Sequence, residues 1–204
     1  MLPEPGSTFQ GETTPHRRSC LEQFPVVYED LLRLAVRRRS VRWFLTKAVP
    51  RELLEQAMTI AAQSPSACNR QPFVFRTFDE PEFVQQLASI PMGTTGYSSN
   101  IPVLIMVVGQ LRNFSDERDR HLIYIDGALA AMSFVLALET LGLASCIINW
   151  PDIAERERRL AELIGLEGDE RPVMFIAVGY PDPEGLVAAS VKKPIDQLIR
   201  FNFN

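Results

Sequence analysis

Apolar residues return every three or four positions at Val27, Leu31, Leu34 and Ala35, which predicts an amphipathic helix running into the arginines at 37–39. A second helical stripe follows through Leu53, Leu54, Ala57, Met58, Ile60 and Ala61. Pro50 opens it, since a fixed φ suits the first helical position. The rhythm breaks at SPSACNRQPF, residues 64–73, where two prolines and small polar residues predict a loop. FVFRTF reads as a strand, PEFVQQLASI as a short helix, and MGTTGYSSN, residues 92–100, as a Gly-, Ser- and Thr-rich loop of the kind that lines sites. PVLIMVVG, residues 102–109, is apolar without alternation, as a strand covered on both faces should be.

From about Asp119 to Leu141 the chain is apolar nearly all round, and Gly142 supplies a C-cap. With Asp126 inside it, this stretch is expected to be a buried central helix or a subunit interface rather than a membrane span. ASCIIN and PVMFIAVGY, residues 172–180, predict two more strands. Between them a charged helix is expected to start at Pro151 and to carry Ile153, Leu160, Leu163 and Ile164. The alternation of strands and helices offers too few βαβ cues for a doubly wound sheet, so the fold class is α+β. Residues 1–23 have no periodicity and predict a flexible N-terminal arm ahead of one domain, 24–204.

Composition adds that the core is real: 46% of the 204 residues are hydrophobic and 23% charged. A net charge of −4 argues against a dedicated nucleic-acid binder, so the arginines of RRRSVRWF, residues 37–44, form a local cationic feature suited to a small anion. Cys20, Cys68 and Cys146 make neither a disulfide framework nor a zinc site; they point to a reducing cytoplasm, with Cys68 and Cys146 as buried small hydrophobes. No GxGxxG or Walker motif occurs, and His16 and His121 are isolated. The carboxylates of 115–126 and 152–170 read as solvated helix faces, and no metal site is expected.

If Ser40–Phe44 is extended, Ser40 and Arg42 project to one side, with Val41 and Trp43 packed on the other. Guanidinium groups take phosphate bidentately and lysine adds a point charge, so the VKKP segment near the C-terminus suits the same anion.

RRSVRWF, SPSACNRQPF, the strand PVLIMVVG with its long helix, and GYPDPEG followed by VKKP together resemble the nitroreductase family of FMN-dependent oxidoreductases, from about Phe24 to Ile199. The resemblance implies a three-layer α-β-α sandwich with a mostly antiparallel central sheet, a long buried helix at the dimer interface, and a homodimer with shared flavin sites. It implies FMN as cofactor, NADH or NADPH as reductant, and a small-molecule acceptor such as a nitroaromatic or quinone in a ping-pong cycle with no catalytic protein side chain. Position by position, Arg38, Arg39 and Ser40 would bind the FMN phosphate and ribityl oxygens, and Arg42 would stand beside the pyrimidine edge. Pro65, Ser66 and Asn69 would approach the flavin held mainly by the partner subunit, and Ser190 and Lys192 would close on the phosphate.

The family commonly places a small or acidic residue and a glycine after the long helix and its strand, with backbone amides facing flavin N5. Here Ile148, Asn149 and Trp150 stand there. Backbone donors survive that change, whereas Trp150 either packs or narrows the space above the ring. Tyr97 and Asn100 are candidates for the pyrimidine's remaining partner. A flavin-storage or sensor protein, and an oxidase, dehydrogenase or dehalogenase of one metabolite, are the alternatives within this cofactor class.

Overall fold

The computed structural model describes residues 15, 17–20 and 25–202. Apart from 15 and 17–20, the expected arm at 1–23 lies outside the described residues. Among the described residues five α-helices and four strands follow: α1 (Tyr28–Arg37), α2 (Arg51–Ala61), β1 (Phe73–Phe78), α3 (Pro81–Ala88), β2 (Val103–Gln110), α4 (Leu122–Thr140), β3 (Ala144–Asn149), α5 (Ala154–Ile164) and β4 (Glu170–Gly179). The strands form one sheet in the order β1-β2-β4-β3, antiparallel throughout.

Both faces of that sheet are covered, which is why β2 shows no polar alternation. Leu104, Met106 and Val108 of β2 point into one core with α3, α5 and Phe175 of β4. Val103, Ile105 and Val107 point into the other, with α2, α4 and Ile176. Two separate cores around a central sheet make the three-layer sandwich. Pro172 lies inside β4 and has no N–H for the ladder; the pairing slips there, with Val107 opposite Met174 but Val108 opposite Pro172.

Helix α4 is buried on one side only. Ile123, Ala130, Phe134 and Leu138 are enclosed, whereas Tyr124, Ile125, Leu129 and Met132 are each more than two-fifths exposed. The expected buried central helix holds for the side that meets the sheet and α2, while the other side is apolar and half-exposed. By length and composition the helix could cross a membrane, yet half of its most apolar window is packed inside the protein. Gly142, in the left-handed region at φ 75°, ends α4 as the sequence pattern predicts. α5 starts at Ala154, not at Pro151: Ile153 is still extended at its N-cap.

Candidate flavin site

The four arginines at 37–42 meet four different fates. Arg37 closes α1, and its Nε reaches Glu139 Oε1 of α4 at 2.8 Å, so it joins two helices. Arg38 caps α1 through its backbone N–H on Leu34 O, while its buried Nε has no partner among the described residues. Arg39 donates to the Ala188 carbonyl at 2.6 Å, which draws the C-terminal stretch against the cluster. Arg42 lays its guanidinium 5.6 Å from the centre of the Tyr97 ring.

The segment carrying them is held at both ends by the sheet. Ser40 bridges Ser145 of β3, and the Val41 N–H donates to the Ser145 carbonyl at 3.0 Å. Leu45 N donates to Tyr180 O at 2.9 Å, and Asp182 N to Trp43 O at 3.0 Å. These are isolated bridges rather than a ladder, so strict alternation is not enforced. Val41 packs on the core and Phe44 is buried in it, but Trp43 is turned outward, 43% exposed. The expectation that Trp43 packs behind the segment is corrected to a half-exposed side chain whose base lies against Gly185, where an added Cβ would stand 2.6 Å from Trp43 Cβ.

Ser190 and Lys192 are exposed and pair with each other, Lys192 Nζ donating to Ser190 Oγ at 2.7 Å. The tail approaches the cluster at Ala188, through Arg39. Pro65, Ser66 and Asn69 stand in a separate loop whose hydrogen bonds do not reach residues 38–42. Ser66 Oγ accepts from Gln71 N at 3.0 Å, and the Asn69 carbonyl and side-chain oxygens accept from Gln71 Nε2.

That loop is costly to build. Cys68, Asn69 and Gln71 all lie at positive φ, a conformation that non-glycine residues adopt only when the surroundings impose it. Part of that imposition comes from Asp126 of α4, whose carboxylate is 2% exposed and accepts the Ala67 N–H at 3.0 Å. Sequence reasoning missed this role; the available signal was one carboxylate inside an apolar helix. Cys68 is exposed, against expectation, because the left-handed turn lifts it off the core, whereas Cys146 is buried as predicted.

On β3, Ile148 is buried in the α3/α5 core and Asn149 is exposed on the opposite side. Only the backbone of Ile148 is left to serve a ligand. Trp150 is 8% exposed and packs against Phe175, ring centres 5.8 Å apart, so its bulk is core packing; its indole Nε1 has no partner among the described residues. Asn100 is engaged with the segment itself: its Oδ1 accepts from Phe44 N at 2.6 Å and its Nδ2 donates to Phe44 O at 3.0 Å, which leaves one N–H and one lone pair of the amide.

The donor set fits FMN: an unpartnered buried guanidinium nitrogen at Arg38 and a hydroxyl at Ser40 suit its phosphate, and an arginine at 42 that no described carboxylate neutralises suits its pyrimidine edge. The cleft of about 110 Å³ between Arg39, Val41, Glu139 and Val187 lies to the side of this set, since none of Arg38, Ser40 and Arg42 lines it.

Comparison with known proteins agrees with this frame. A family model described as the Nitroreductase family matches residues 35–95 and 98–180. The chain is 24% identical over 199 residues to iodotyrosine deiodinase 1 of Sus scrofa, covering 84% of this chain and 68% of that protein. Among solved structures, a nitroreductase family protein of Streptococcus pneumoniae is similar with a TM-score of 0.70 and 26% identity, over 84% of this chain and 100% of that one. An FMN-dependent nitroreductase of Clostridium difficile shares the fold with a TM-score of 0.69 at 21% identity, over 81% and 96% of the two chains.

Proposed function

The chain belongs to the nitroreductase family, and from that premise we propose that it is an FMN-dependent oxidoreductase acting as a homodimer in the cytoplasm. The observation that carries the reading is the unneutralised cationic segment Arg38–Arg42, tethered through Arg39 to the C-terminal stretch that bears Lys192. Bound FMN would supply the hydride and electron chemistry that no side chain here offers. Arg38, Arg39 and Ser40 would hold its phosphate and ribityl oxygens, with Ser190 and Lys192 closing over them. Arg42 would face the pyrimidine edge, where a positive charge favours the reduced, anionic state. The half-exposed stripe Tyr124, Ile125, Leu129 and Met132 of α4 supports a subunit interface, and the Pro65–Asn69 loop beside it would reach the partner's flavin.

NADH or NADPH is the proposed reductant, with a nitroaromatic or quinone as acceptor in a ping-pong cycle. Purified protein should show an oxidised-flavin spectrum that bleaches anaerobically on addition of a reduced nicotinamide and recovers on addition of the acceptor. Absence of bleaching with either nicotinamide, in flavin-loaded protein, rejects the NAD(P)H assignment.

A second reading is favoured by the similarity to iodotyrosine deiodinase 1. In it a halogenated aromatic takes two electrons and a proton, the carbon–halogen bond is replaced by carbon–hydrogen, and halide leaves. Stoichiometric halide release from a halophenol by chemically reduced protein would favour it.

A further inference from the structure

Arg42 is held by an unusual set of neighbours. The turn at Ser98–Asn100 grips the cationic segment at two points: the Asn100 amide takes both backbone groups of Phe44, and the Tyr97 ring lies against the Arg42 guanidinium. The turn is itself braced, with Tyr97 N and Ser98 N donating to Thr94 O at 3.2 and 3.0 Å, and Asn100 N donating to Tyr97 O at 2.9 Å. Tyr97 is 6% exposed and belongs to the same core as Phe44 and Cys146.

A carboxylate would fix an arginine as firmly, but it would also cancel the charge. A neutral aromatic ring attracts a guanidinium through its quadrupole and leaves the net charge for another ligand. Tyr97 stays neutral by a wide margin: burial, reinforced by the Cys146 thiol, pushes its hydroxyl up to about 12 against the opposing pull of Arg42.

We propose that the Tyr97–Asn100 turn is a positioning element that aims Arg42 at the flavin's pyrimidine edge without neutralising it. The inference rests on the flavin site described above, and it assigns to the 92–100 loop a task in setting the cofactor's potential.

The test uses FMN-loaded protein and two readouts, the FMN dissociation constant and the two-electron midpoint potential. Arg42→Ala should weaken the reduced state about tenfold more than the oxidised state, a fall of about 30 mV. Tyr97→Leu should produce a fall of the same sign and comparable size, whereas Tyr97→Phe, which keeps the ring, should stay close to the parent. In an Arg42→Ala background Tyr97→Leu should add nothing. Asn100→Ala probes the same latch without opening the core, and should lower the potential only while Arg42 is present. A Tyr97→Leu or Asn100→Ala shift that persists unchanged without Arg42 overturns the proposal. If Arg42→Ala alters neither readout, Arg42 does not face the pyrimidine edge and the proposal falls, whereas the flavin-site reading falls only if Arg38→Ala also leaves FMN affinity unchanged.

Discussion

Arg112 and Arg42 show two uses of one side chain. Arg112, just beyond the end of β2, is surrounded by Glu167, Asp169 and Glu170, with its nearest nitrogens 2.5–2.9 Å from all three carboxylates. Arg42 faces a neutral ring, and among the described residues no carboxylate pairs with it. The first arrangement spends the charge within the fold, tying the end of β2 to the turn before β4. The second preserves it. A basic cluster in a sequence becomes informative about ligands only once the acids around each member are known.

The contrast breaks most visibly if the preserved charges are removed. Arg38→Ala and Arg42→Ala should each weaken FMN binding by about 10- to 150-fold, the range expected when a charged hydrogen-bonding group worth ~1.5–3 kcal/mol is lost. Flavin released on gel filtration, followed by fluorescence titration, measures it. Unchanged affinity in both variants would put the cofactor elsewhere.

The next largest effect concerns what holds the Arg42 segment in place. A Cβ at Gly179 would stand 2.5 Å from Pro102 Cγ and 2.8 Å from Phe44 Cδ1, so this glycine lets Phe44 dock on the end of β4. Gly179→Ala should cost about 1–3 kcal/mol, lowering the melting temperature by roughly 2–12 °C. Because Phe44 is also the residue that Asn100 grips, FMN affinity should drop in parallel with stability. A destabilised variant with parental FMN affinity would separate the anchor from the site.

Much of this was legible beforehand, for identifiable reasons. The apolar run of β2 announces a sheet covered on both sides, and Gly142 announces the end of α4, because burial and backbone conformation act locally on residue choice. The motifs around Arg38–Arg42 and Pro65–Asn69 carry the family resemblance. What escaped depends on partners distant in sequence. Nothing near Trp43 says that isolated bridges will turn it outward, and nothing near Asn100 says that its amide will take both backbone groups of Phe44. The left-handed run at Cys68, Asn69 and Gln71 contains no glycine to betray it, being imposed from a distance by residues such as Asp126.

Arg112→Ala sharpens the comparison from the opposite side. Its guanidinium is exposed, so three short contacts confer little net stability once solvent screening and side-chain entropy are counted. Thermal stability should fall slightly, and FMN affinity and potential should stay at parental values. A loss of flavin comparable to that of Arg42→Ala would erase the distinction between spent and preserved charge.

The smallest effect is a pH dependence in a second spent charge. Arg51 Nε lies 2.8 Å from Asp79 Oδ2 and its NH2 nitrogen 3.0 Å from Oδ1, pinning the start of α2 to the turn after β1. The Arg51 hydrogen bonds, with some coulombic help, hold the Asp79 carboxyl below its usual value. A carboxyl whose folded pKa is depressed stabilises the fold fully above its unfolded pKa of about 4, and that stabilisation disappears as pH falls through the lower folded value. Parent and Arg51→Ala should therefore differ slightly in melting temperature near neutral pH and converge as the pH is taken down through the depressed Asp79 value. Asp79→Asn should flatten the parent's acid limb in the same window. A difference that persists undiminished in acid would assign Arg51's contribution to packing of its alkyl stem instead, and Arg51 would then no longer belong with Arg112.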